Sequence, residues 1–171
     1  MSPGGPRLRS NRSPQPADQG AAPAGRDPKS LIARALGLLA RREHGRVELA
    51  RKLEPHAGSV AELVRLLDEL EAKKLLSDDR FAEALVRRRG ERYGAARVGA
   101  ELRERGIAAE LVNQAVGELR RTELPRAREL WNRRFGAAPV SDAERAKQMR
   151  FLAQRGFAAE VIRRVVGNRD D

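Results

Sequence analysis

The sequence predicts an all-α protein of three tandem three-helix repeats forming an elongated, curved array. Three observations carry this expectation. Residues 102–112, LRERGIAAELV, recur fifty positions later as LAQRGFAAEVI at 152–162, and self-similarity at such a period marks a repeated supersecondary unit. From Ser30 onward, apolar residues recur at helical spacing almost without interruption. The chain is 40% hydrophobic and 35% charged, with six aromatic residues among 171, a balance that suits several thin helical layers better than one thick core. Units this small bury little apolar area alone, so neighbours must share surface.

Residues 1–29 hold most of the nine prolines, with Gly, Ser, Gln and Arg and no periodicity, and read as a disordered basic arm. The first repeat, 30–75, opens on the stripe Leu31, Ala35, Leu38 and Leu39, which ends near His44-Gly45. A second stripe, Val47, Leu49, Ala50 and Leu53, is stopped by Pro55. Ser59 and Glu62 then form a capping box, starting a helix with Val60, Leu63, Val64, Leu67 and Leu70 on one face.

The second repeat, 76–122, starts at Asp78-Asp79 with Phe81, Ala82, Leu85 and Val86, and Gly90 and Gly94 bracket the end of that helix. Val98 and Leu102 lie on a short middle helix closed by Gly106; Leu111, Val112, Ala115, Val116 and Leu119 make the third. In the third repeat, 123–168, Leu130, Trp131 and Phe135 follow Pro125. A second capping box, Ser141 to Glu144, leads to Met149 and Leu152, then Gly156, then Val161, Ile162, Val165 and Val166.

The two echoed glycines have a physical role. A glycine just past a helix end can turn left-handed, and the apolar residue after it packs back one turn. That pairs Ile107 with Leu102 and Phe157 with Leu152. The first repeat aligns more loosely: Gly45, Val47, Leu49 and Leu53 match Gly94, Ala96, Val98 and Leu102.

Composition excludes several classes of function. There is no cysteine, so no disulfide framework or cysteine zinc site, which fits a reducing cytosol. No apolar run approaches a membrane span, and the N-terminus lacks the apolar region of a secretory signal. The expected location is cytoplasmic. Net charge is +11, with 35 basic against 24 acidic residues. The excess is spread along the chain, which favours a polyanionic partner such as nucleic acid; simple solubility is the plainer alternative.

For catalysis the sequence offers little. It has two histidines, His44 and His56, both near predicted helix ends, where an imidazolium is favoured and capping or solvation is the expected role. No phosphate-binding glycine loop or HExxH motif is present. The expectation is a non-enzyme with no catalytic residue, cofactor or metal. Asp78-Asp79 suits helix capping and the helix dipole better than Mg²⁺ ligation.

What remains is arginine. Arg87, Arg88, Arg89, Arg92 and Arg97 surround Tyr93-Gly94, and Arg133, Arg134, Arg163 and Arg164 occupy similar slots in the third repeat. The planar guanidinium suits phosphate and carboxylate. The alternative is a solvated face paired with Glu83, Glu91 and Glu101. Tyr93 is a candidate for stacking on a base, although one aromatic is a poor platform; Trp131 reads as core.

The stretch Leu76-Ser77-Asp78-Asp79-Arg80-Phe81-Ala82, then Arg87-Arg88-Arg89, Gly94 and Glu101-Leu102-Arg103-Glu104-Arg105-Gly106-Ile107, resembles the RecX family of recombination regulators. Phe151-Leu152-Ala153-Gln154-Arg155-Gly156-Phe157 resembles that family's third repeat, and the likeness covers about residues 30–167. It implies a modulator lying in the groove of the RecA–DNA filament and inhibiting filament growth, ATP hydrolysis and strand exchange, so damping recombination and SOS signalling. The implied partners are the RecA filament and single-stranded or duplex DNA without sequence preference, bound by a monomer, with the ten residues Arg87 to Arg164 named above as the contact candidates. The alternative from another class is a regulator acting directly on duplex DNA, with a short middle helix as recognition helix.

Overall fold

A computed structural model describes residues 28–167 and Met1. The arm expected over 1–29 otherwise lies outside the described residues, except at its edge. There the first helix, α1 (Pro28–Leu39), begins two residues ahead of the Ser30 start. Proline is tolerated in a first turn because the backbone N–H it lacks would have no helical partner there.

Among the described residues the structure is entirely helical. After α1 come α2 (Arg46–Leu53), a 3-10 turn (Glu54–His56), α3 (Val60–Ala72), α4 (Asp78–Gly90) and α5 (Ala95–Glu104). They are followed by α6 (Ala109–Arg121), α7 (Glu123–Arg134), α8 (Asp142–Ala153) and α9 (Ala159–Val166). The α7 helix starts before Pro125 rather than after it, since the third residue of a helix also has a free N–H position.

Both capping boxes form, one residue wider than the usual pattern. Ser59 Oγ accepts from Glu62 N at 3.1 Å while the Glu62 carboxylate accepts from Gly58 N at 2.7 Å. Ser141 and Glu144 repeat this, the latter reaching Val140 N at 3.0 Å. The echoed glycines are left-handed, at φ +77° for Gly106 and +78° for Gly156. The closing bonds Ile107 N to Leu102 O (3.1 Å) and Gly106 N to Arg103 O (2.9 Å) recur at Phe157 and Gly156. Lys74, at φ 57°, closes α3 the same way without a glycine.

Three separate apolar clusters result. One holds Leu31, Leu49, Leu53, Leu67 and Leu76; one Phe81, Leu85, Val98, Leu102 and Val112; one Ala127, Leu152, Phe157, Ile162 and Val166. Each fully buried leucine contributes about 2 kcal/mol of transfer free energy. Sharing between clusters is left to the joints.

The joints follow one plan. Helices α2 and α5 each start after a glycine, Gly45 and Gly94, and neither has a side-chain cap of its own. The next unit supplies it. Asp78, in the first turn of α4, accepts from Arg46 N at 2.7 Å, and Glu123, in the first turn of α7, accepts from Ala95 N at 2.9 Å. Just beyond each acid, an arginine reaches back to the preceding turn: Arg80 to Glu43 at 2.8 Å, and Arg126 to the carbonyls of Gly90 and Tyr93. Asp78 therefore caps the helix of its neighbour, while Ser77 caps α4 itself through Arg80 N.

Candidate binding surface

The nominated arginines separate into two groups. Arg87, Arg88 and Arg92 lie on the last turn of α4 and just after it, where cations complement the helix dipole, and all three are exposed. Arg88 and Arg92 find no carboxylate within ion-pair distance among the described residues. Arg87 shares the rim of a cavity of about 270 Å³ between α4 and α6 with Asp79, Glu83 and Glu118, so acids surround its charge.

Arg89 turns inward instead. It is half-buried, its Nε is 3.2 Å from Glu101 Oε2 at an angle unsuited to a hydrogen bond, and its Nη2 reaches Oε1 at 3.4 Å. Tyr93 sits between arginines, with the Arg97 guanidinium 4.4 Å and the Arg89 guanidinium 5.5 Å from its ring centre. A base stacking on Tyr93 must displace them. Arg97 is exposed but crosses the second joint, donating to Gln154 O at 2.9 Å.

In the third unit, Arg133 is 3.9 Å from Glu129, both side chains largely exposed, and Arg134 lies 5.7 Å from the Phe135 ring. Arg163 and Arg164 are exposed on α9. Trp131 is half-buried against the third cluster and donates from Nε1 to Gln148 at 2.8 Å.

Several polar residues matter more than the sequence suggested. Glu48 binds Arg42 on its own unit and Arg105 of the next, the latter at 3.2 Å, and Arg105 continues to Glu101 at 2.9 Å. Burial pushes the Glu48 carboxyl up, but the Arg42 hydrogen bond and nearby positive charges outweigh it and hold the group below the usual carboxylate range. His44 departs from expectation. It is 2% exposed, its Nδ1 is 3.0 Å from Arg42 O, and burial pushes its pKa below the ordinary value, favouring the neutral ring rather than an imidazolium. For the caps supplied by Asp78 and Glu123, the signal in the sequence was the pair of helices that start after a glycine, which has no side chain to cap with.

Among the described residues no group of three His, Cys, Asp or Glu is placed to hold a metal, and no helix is long and apolar enough to cross a membrane. Asp78, one of the two residues considered for Mg²⁺, is committed to the backbone of Arg46.

Fold and surface together define a helical-repeat protein whose distinctive chemistry is arginine exposed on successive units. Residues 77–116 match the model of the second three-helix domain of RecX, and residues 122–166 that of the third. The regulatory protein RecX of Ralstonia pickettii is 49% identical over 149 residues, covering 87% of this chain and 94% of the relative. That of Leptothrix cholodnii is 52% identical over 137 residues, covering 80% and 87%. The chain belongs to the RecX family of regulatory proteins. Its fold is also that of the crystal structure of RecX from Lactobacillus salivarius, with a TM-score of 0.68 at 19% identity over 82% of this chain and 94% of that one.

Proposed function

We propose that this protein is a non-enzymatic regulator that binds the RecA–DNA filament and inhibits filament growth, ATP hydrolysis and strand exchange, damping recombination and the SOS response. It acts in the cytoplasm as a monomer, and its DNA contacts carry no sequence preference. The observation supporting this most directly is the exposed arginine surface, Arg88 and Arg92 on the second unit and Arg163 and Arg164 on the third, within a chain of the RecX family. Basic faces on successive units of one chain suit a partner that is itself long and anionic.

The alternative, a recognition helix entering duplex DNA, requires a free helix N-terminus to meet base edges. The N-terminus of α5 is covered by the next unit, since a Cβ on Gly94 would lie 2.1 Å from Gly156 O. That of α2 is held by Asp78, and that of α8, though exposed, carries the acids Asp142 and Glu144, which disfavour approach to phosphates.

The test is RecA ATPase on single-stranded DNA, titrated with this protein at substoichiometric ratios. Inhibition well below one molecule per RecA is the expected result. Undiminished hydrolysis at every ratio, with sequence-dependent duplex binding, rejects filament inhibition in favour of direct DNA regulation.

A further inference from the structure

The two joints share a plan but differ in one charge. Glu48 and Arg97 each stand three residues after the glycine that precedes their helix, Gly45 or Gly94; Arg105 and Arg155 each stand just before the left-handed glycine, Gly106 or Gly156. At the first joint this places a carboxylate against the arginine of the next unit, Glu48 to Arg105 at 3.2 Å. At the second joint both positions are arginine.

Neither Arg97 nor Arg155 has a carboxylate within ion-pair distance among the described residues. Each gives Nη1 to a backbone carbonyl, Arg97 to Gln154 at 2.9 Å and Arg155 to Phe151 at 3.0 Å. Each also lies over an aromatic ring, Tyr93 at 4.4 Å and Phe151 at 3.7 Å from the centroid. A guanidinium has five N–H donors, so one carbonyl leaves most of each fork open. Gly94 N donates to Arg155 O at 2.9 Å, holding the two arginine-bearing segments on either side of one joint. Glu91, at the position of Arg42, is exposed and makes no ion pair with Arg97, and Glu101 is committed to Arg89 and Arg105.

We propose that the joint between the second and third units is an acceptor slot for an acidic side chain of the partner protein, with Arg97 and Arg155 as its two sides. Glu48 shows the chemistry this position takes when the fold fills it from within: a carboxylate shared between arginines of adjoining segments. At the second joint Arg97 takes the place of Glu48, so a carboxylate bridging Arg97 and Arg155 has to come from outside. Binding there fixes the third unit against the second through the ligand, so the contact reports on both at once. Identifying the partner as the RecA filament rests on the function proposed above; the slot itself does not.

Arg97→Glu tests this directly, because it gives the second joint the acid of the first. Arg155→Gln is the second variant, keeping the stem over Phe151 while removing the charge. Both are measured for helicity and Tm, and for binding to a labelled oligoglutamate peptide, to RecA filaments on single-stranded DNA, and to bare single-stranded DNA. The expected result is folded variants whose affinities for the peptide and the filament fall about tenfold or more, with bare DNA binding little changed. Unchanged peptide and filament affinity in the folded variants overturns the slot. An equal loss on bare DNA overturns it too, assigning the arginines to phosphate. Arginine-dependent peptide binding without filament binding by the parent protein keeps the slot and rejects RecA as its partner.

Discussion

Arg126 shows how much of this fold rests on single, partly buried arginines that bind backbone carbonyls rather than carboxylates. Its guanidinium donates to Gly90 O, to Tyr93 O at 3.0 Å and to Leu119 O at 2.7 Å, while Nε reaches Thr122 Oγ1 at 3.2 Å. It thereby closes the ends of α4 and α6 from the first turns of α7. Carbonyls left without a donor in a partly buried site cost about 1–3 kcal/mol each way the balance falls, so Arg126→Ala is expected to destabilise by about 2–3 kcal/mol in urea unfolding. Arg126→Lys should recover little, because a single ammonium cannot span carbonyls arranged for a planar fork. A loss below about 0.5 kcal/mol for the alanine variant would show that water satisfies those carbonyls equally well.

At the scale of the helix and its ends, glycine-to-alanine changes should separate joints from plain helix interiors. Gly156 is left-handed, and a Cβ there would sit 2.7 Å from both Cβ and N of Arg97. The backbone conformation costs roughly 1–2 kcal/mol for an alanine, and the clash with α5 about 1–3 kcal/mol more. Gly117, within α6, would meet nothing within 4 Å, so Gly117→Ala should stabilise by about 0.5–1 kcal/mol. Thermal unfolding of the two variants should shift Tm in opposite directions; a Tm for Gly156→Ala at or above the parent's refutes the crowding of Gly156 against Arg97.

The same contrast explains what the sequence revealed. Helices, capping boxes and the two glycine closures are local, encoded within a few residues, and the family likeness rested on them. The caps that Asp78 and Glu123 give to α2 and α5 join residues 32 and 28 positions apart, and no local periodicity encodes them. The arginine cluster around Tyr93 was legible as a cluster. Which members stay free was not, because Arg89 pairs with Glu101 across α4 and α5 and the exposed Arg97 reaches Gln154 of the next unit, partners set by tertiary packing rather than local periodicity.

For the whole molecule, the question is whether the exposed arginines of successive units act on one partner together. Arg88 and Arg92 lie on the second unit, Arg163 and Arg164 on the third, and all four are exposed, so reversing them leaves every joint contact intact. An exposed ion pair contributes about 0.2–1 kcal/mol, and reversal replaces attraction by repulsion. Arg88→Glu with Arg92→Glu is therefore expected to weaken filament binding about tenfold, and Arg163→Glu with Arg164→Glu similarly. Distant sites without shared partners add. The fourfold variant should lose about a hundredfold if the array engages one filament along its length, and no more than the stronger pair if only one unit makes contact. Helicity should persist in all three. Because exposed charges are screened beyond about 8–10 Å at physiological ionic strength, the parent protein's affinity should fall steeply with added salt, and the fourfold variant's should scarcely change. Binding that resists salt in the parent, with reversals that do not add, would place the partner on an apolar face instead and leave the arginines to solubility.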